Sequence, residues 1–114
     1  MMAMKKAVTL FLLAVALPSS AADLYGRVWT AQNATPATGA IVHIACPTAQ
    51  PQQATVDQYG RYRLTKLPAK QNCQLSVEVS PQQTEPVTVY SGSGSKDINI
   101  ELYKNPGELT LLLR

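Results

Sequence analysis

From residue 24 onward, apolar and polar residues alternate with a period of two, in short runs separated by turn residues. Leu24, Gly26 and Val28 share one face of a first run, and Ala40, Val42, Ile44 and Cys46 share one face of a second. Cys73, Leu75, Val77 and Val79 repeat the pattern, followed by Val87 with Val89 and by Ile98, Ile100 and Leu102. Period-two alternation marks strands with one face on a core. Proline, glycine and glutamine segments (AQNATPATG, PTAQPQQ, SGSGSK) lie between the runs, and nothing in this part of the chain has helical spacing. The layout predicts an all-β sandwich of about seven or eight strands. SGSGS is followed by no helix that could complete a phosphate cradle, so it reads as a flexible connector.

The segment VDQYGRYRLTKLP reads as a hairpin. Asp57 and Gly60 suit a tight turn, and Tyr62 and Leu64 then face inward. Arg61 and Arg63 share the opposite, outward face. In the first strand the outward parity holds Tyr25, Arg27 and Trp29. Aromatic side chains beside arginine stack on sugars or anchor protein partners, which makes Tyr25, Arg27, Trp29, Arg61 and Arg63 a candidate binding surface. At the far end, Asn105, Pro106 and Gly107 predict a turn into a last strand paired antiparallel to its predecessor. Leu109, Leu111 and Leu113 would face the core, while Leu112 points outward from an edge open to a partner or to a second copy.

Residues 1–22 follow other rules. Lys5 and Lys6 precede an apolar run from Ala7 to Leu17, closed by Pro18 and small residues. That is the order of a secretory signal peptide, with a run too short for a permanent span of about 20 residues. Small residues at Ser19 with Ala21, or Ser20 with Ala22, suit the peptidase, and cleavage is expected after Ala22, give or take one residue. No cysteine lies there to carry a lipid. The expected mature chain is therefore a single domain, residues 23–114, in a bacterial periplasm or secreted, with no membrane span.

Losing the leader changes the electrostatics. The ten basic residues fall to eight against seven acidic ones, so the net charge drops from +3 to about +1. No cationic stripe remains to bind nucleic acid. Export also places Cys46 and Cys73 where disulfides persist. Both fall on the apolar parity, and inward side chains on matched faces of packed sheets can approach, so the two are expected to be bonded. They form no C-x-x-C, and with one histidine in the chain no zinc set is complete; no metal or cofactor is expected.

The order LYGRVW, ATGAIVHI, ATVDQYGRYRLTKLP and CQLSVEV resembles the carboxypeptidase regulatory-like domain and its transthyretin-like and collagen-adhesin B-type relatives. Gly26 and Val28 match a G-x-V strand, and Gly39, Ala40 and Val42 a G-A-x-V strand. Thr55, Asp57, Gly60, Tyr62 and Leu64 match a T-x-D-x-x-G-x-Y-x-L hairpin. The resemblance implies a prealbumin-like Greek-key sandwich and leaves function open. Hydrolases of 5-hydroxyisourate in the wider group use several histidines and a terminal Y-R-G-S, whereas this chain has only His43 and ends LTLLLR. The lysine that isopeptide-forming modules carry on their first strand is replaced by Arg27, a poor nucleophile, and Glu78 and Asn99 lie on the outward parity.

His43 has Ile41 and Ala45 on its own parity, and Ser76, Ser91, Ser93 and Ser95 lie in no nucleophile motif. A partly covered structural histidine is expected and an enzyme is not. The function predicted from sequence is a non-enzymatic exported module engaging a protein partner in the cell envelope. A carbohydrate-binding module using Tyr25, Trp29 and Tyr59 is the alternative, and a minimal hydrolase centred on His43 stands behind both.

Overall fold

The computed structural model describes residues 21–114; of the leader read at residues 1–22, residues 1–20 lie outside them. Among the described residues there is no helix, and eleven strands form two facing sheets. The first sheet contains β1 (Ala21–Thr30), β2 (Thr35–Pro36), β5 (Arg61–Pro68), β9 (Gly94–Asp97), β10 (Ile100–Asn105) and β11 (Glu108–Leu113). The second contains β3 (Ile41–Ala45), β4 (Gln52–Thr55), β6 (Asn72–Val79), β7 (Gln82–Gln83) and β8 (Val87–Tyr90). The all-β sandwich read from alternation is the fold, with short pairings raising the strand number.

Strand β1 organises the first sheet because its two halves have different neighbours. Ala21 to Arg27 pair antiparallel with β5, and Ala22 to Tyr25 also pair parallel with β9. Val28 to Thr30 pair parallel with β10, and Trp29 and Thr30 antiparallel with β2. The alternating run expected as one strand through Ile98, Ile100 and Leu102 accordingly belongs to two strands, β9 and β10, broken at Ile98 and Asn99 where the chain passes from one half of β1 to the other. SGSGSK is not merely a connector either, since Gly94 and Ser95 belong to β9. Parallel pairing there uses backbone groups, and the side chains carry no pattern that would announce it.

The inward parity is as the sequence predicts. Leu24, Val28, Val42, Ile44, Leu64, Leu75, Val77, Ile100 and Leu102 are buried between the sheets. At about 1.5–3 kcal/mol per buried aliphatic side chain, these positions supply most of the drive to fold. Cys46 and Cys73 are joined as expected, but the bridge links neighbouring strands of one sheet, not the two facing sheets. Ala45 pairs with Gln74, so the cysteines are the next positions in the same ladder, 4.3 Å apart at Cα. Same parity on adjacent antiparallel strands meets the distance requirement directly.

Strand β11 pairs antiparallel with β10 through a two-residue turn, Pro106 and Gly107, the latter at φ +76°. Proline followed by a residue with positive φ is the combination a type II turn needs. Leu109 is buried, Leu111 and Leu113 pack against the core half-covered, and Leu112 is 46% exposed.

Strand β1 also begins two residues before the expected start of the mature chain. Ala22 is buried and pairs with Leu67 and Gly94.

Candidate binding face

The hairpin turn is fixed first by Asp57. Its Oδ1 accepts the backbone N–H of Tyr59 (2.9 Å) and of Arg61 (2.8 Å), and the Gly60 N–H donates to its carbonyl (2.9 Å). The Arg61 N–H, with that of Tyr59, holds the Asp57 carboxyl below the usual carboxylate range. Gly60 takes φ +80°, and a Cβ there would stand 3.0 Å from Pro36 Cβ and 3.1 Å from the Val28 carbonyl. With the turn fixed, β5 runs back along β1 in a set register: Gly26 opposite Tyr62, Tyr25 opposite Arg63, Arg27 opposite Arg61.

Gly26 and Tyr62 meet beneath that register. The Tyr62 hydroxyl donates to the Ile98 carbonyl at 2.7 Å, and burial, with the charge of Asp97 adding to it, pushes its pKa well up. The same carbonyl would lie 2.1 Å from a Cβ on Gly26. The Ile98 N–H donates to the Tyr25 carbonyl (2.8 Å), and Asn99 Oδ1 accepts the Arg27 N–H (2.9 Å). The break between β9 and β10 is thus stitched to β1 immediately behind the candidate residues.

Above it the two sequence patches become one surface. Tyr25, Arg27, Arg61 and Arg63 lie side by side on the outer face of β1 and β5, around a depression of ≈ 710 Å³ that Asp97, Asn99 and, from β4 of the facing sheet, Ala54 and Thr55 also line. Arg63 lies over the Tyr25 ring (5.6 Å to the centroid) and Arg61 over the Tyr59 ring (4.9 Å), distances at which cation–π attraction operates. Arg63 also reaches Asp23 at 3.1 Å and Arg61 reaches Asp57 at 3.6 Å. No carboxylate pairs with the Arg27 guanidinium among the described residues.

Trp29 stands at the border of this surface, half-buried, beside Arg27, Tyr59 and Pro36. In register it faces Glu101, and Glu101 faces Leu112. Glu101 is held below its usual range first by Arg114, whose Nε donates at 2.9 Å, with smaller contributions from Tyr103 and Trp29. Leu112 is therefore on the same outer face but two strands from β1, separate from the arginine cluster.

Asp23 was not among the sequence candidates. Between Ala22 and Leu24 the register shifts, and Asp23 Oδ1 accepts the N–H of Lys66, which sits at φ +59° on the bulged side. One carboxylate thus fastens the bulge and orients Arg63. No motif marks it, because its partners lie 40 and 43 residues away.

His43 lies on the outer face of the other sheet, partly covered, with Nε2 2.9 Å from Glu78 Oε1. Ser76 faces it in register, and the Ser76 hydroxyl accepts the Gln83 side-chain amide at 3.1 Å. Among the described residues no three His, Cys, Asp or Glu side chains group as metal ligands.

No family model and no curated protein sequence matches the chain. Solved structures do resemble it. Catechol 1,2-dioxygenase from Acinetobacter sp. ADP1, inhibited by bound mercury, is 11% identical at TM-score 0.51, over 83% of this chain and 51% of that one. 3-Chlorocatechol 1,2-dioxygenase from Rhodococcus opacus 1CP is 10% identical at TM-score 0.52, over 84% and 61%. A candidate carbohydrate-binding protein from Bacteroides uniformis is 15% identical, over 73% of this chain and 47% of that one, at TM-score 0.46, too low to establish a common fold. The chain thus spans about half to three-fifths of the two dioxygenases, and at such identity the likeness speaks for the sandwich alone. Fold and site together define a small disulfide-bonded β-sandwich with an arginine–tyrosine outer face.

Proposed function

We propose that this chain is an exported, non-enzymatic binding module, akin to carboxypeptidase regulatory-like domains, that docks a protein partner of the cell envelope on the outer face of β1 and β5. The observation that carries the reading is the register setting Tyr25 against Arg63 and Arg27 against Arg61. Arginine and tyrosine are the residues that dominate binding energy at protein interfaces. The kinship is supported by what its signature residues do: Gly26 leaves room for the Ile98 carbonyl that accepts the Tyr62 hydroxyl, and Gly60 lets the turn close against Pro36 and the Val28 carbonyl.

A protein ligand fits better than a sugar. A sugar platform offers open ring faces, whereas Tyr25 and Tyr59 each carry an arginine over the ring. What the surface presents is guanidinium, foremost that of Arg27, which suits a partner with carboxylates at the contact.

Photo-crosslinking in the producing cell tests this. A crosslinker at Tyr25 or Tyr59 should give one discrete protein adduct, while one at Thr88, exposed on the other sheet, should not. With the partner so identified, Arg27→Glu should weaken its binding by about 30-fold, as expected for a residue worth about 2 kcal/mol at an interface. Absence of an adduct, or the same adduct from Thr88, overturns the proposal. Retention on immobilised polysaccharide that Tyr59→Ala abolishes would establish the carbohydrate alternative instead.

A further inference from the structure

Among the described residues β11 ends its sheet, with β10 on one side and no strand on the other. Asn99 and Arg114 exchange both backbone hydrogen bonds, N–H to carbonyl at 3.3 and 2.8 Å, which makes them a hydrogen-bonded antiparallel pair. The register from there is regular, so Leu112, Thr110 and Glu108 also direct their main-chain groups to β10. The main-chain groups of Leu109, Leu111 and Leu113 point the other way, along the open edge. Native edges are usually blunted by lysine, proline or a bulge. This one reads Leu-Thr-Leu-Leu-Leu without a bulge, and Leu112 is 46% exposed. Strand β7 of the facing sheet packs against β11 without joining its ladder.

We propose that this edge pairs antiparallel with β11 of a second copy, with Leu111 on the two-fold axis. Hydrogen-bond phase restricts the register. The outward donors and acceptors sit on Leu109, Leu111 and Leu113, so only pairings that match odd positions with odd positions can form a ladder. Among these, centring on Leu111 sets Leu109 against Leu113 of the second copy at both ends and uses all three residues of each strand. It also sets Glu108 against Arg114 of the second copy, twice by symmetry. Both side chains are exposed; Glu108 has no ion-pair partner among the described residues, and Arg114, which holds Glu101 through Nε and Nη2, has its Nη1 left to meet a second carboxylate. A slip by two residues keeps the hydrogen-bond phase but moves Glu108 opposite Leu112 or beyond the strand. Charge complementarity therefore selects the centred register, and a self-complementary patch is what a two-fold dimer requires. A contact confined to one strand makes a concentration-dependent dimer rather than a permanent one.

Sedimentation of the oxidised protein from micromolar to millimolar concentration should show a reversible monomer–dimer equilibrium. Glu108→Arg places arginine opposite arginine at both ends and should weaken the dimer about tenfold, and Leu112→Lys should weaken it with the melting temperature unchanged. Register is read by cysteine pairing. Leu111→Cys should crosslink to itself on mild oxidation, and Leu109→Cys should crosslink only when mixed with Leu113→Cys. A protein that stays monomeric throughout overturns the proposal, as does preferential self-crosslinking at 109 or 113.

Discussion

Replacing Gly26 by alanine tests the joint behind the candidate face. The added methyl would stand 2.1 Å from the Ile98 carbonyl oxygen, 2.8 Å from its carbon and 2.9 Å from Asn99 Oδ1. Two of these atoms are backbone, so no rotamer change relieves the contact. Overpacking of this kind costs about 1–3 kcal/mol. The carbonyl that must move is also the acceptor of the Tyr62 hydroxyl, and a buried donor left alone costs about another 1–3 kcal/mol. The expected loss is about 2–6 kcal/mol out of the 5–15 typical of a domain. The melting temperature should then fall by about 10 °C or more. Gly39→Ala is the control: its Cβ meets nothing within 4 Å, and the cost is backbone strain alone, about 1–2 kcal/mol at φ +88°. Thermal and urea unfolding of Gly26→Ala, Tyr62→Phe and the double variant complete the test. Tyr62→Phe should cost less once Gly26 is alanine, because the bond it deletes is already broken. A Gly26→Ala loss below about 1 kcal/mol, or strictly additive effects, would refute the reasoning.

Intact-mass analysis of alkylated, unreduced protein recovered from the envelope should show both sulfurs blocked. It should also show a chain starting at Ala22, because that residue is buried in β1 and cleavage after Ala21 keeps it; free thiols would reopen a redox role, and a chain starting at Asp23 would show the Ala22 pairing dispensable. Reduction should cost about 3–4 kcal/mol for a bridge spanning 27 residues. Glu101 is held below its usual pKa by Arg114, so its contribution is complete above about pH 4.3 and is lost as pH falls through the lower folded value. Acid unfolding of Glu101→Gln should accordingly show a smaller loss of melting temperature between pH 5 and pH 2 than the parent, roughly the window in which paired carboxylates release their stabilisation; identical acid profiles would count against the pair.

How much of this was legible in the chain depends on which contacts write a pattern into it. Parity alone placed Arg61 beside Arg63, Tyr25 beside Arg27, and both cysteines on the core side, because a strand with one buried face must alternate. The parallel pairing of β9 with β1 left no trace. Gly94, Ser95 and Asp97 are exposed, so burial imposed no apolar period on the segment. The same gap hid the disulfide's setting, since parity says which face a cysteine is on and not which strand lies beside it.

The candidate face has a mixed origin for the same reason. Its arginines and tyrosines could be found one strand at a time, but their meeting depends on the β1–β5 register, which Asp57 and Gly60 set through the turn and Asp23 through the bulge. Asp23 shows why such a residue escapes a reading by motif. It does its work through a backbone N–H and a guanidinium, each 40 or more positions away, and an aspartate bound that way looks in sequence like any solvated acid. Outer-face residues answer to no core, so a strand's sequence leaves them free to vary unless something outside the sheet holds them. The concentration of arginine and tyrosine around Arg27, whose guanidinium meets no carboxylate among the described residues, is not required by the core, and it is on this surplus that the proposed docking rests.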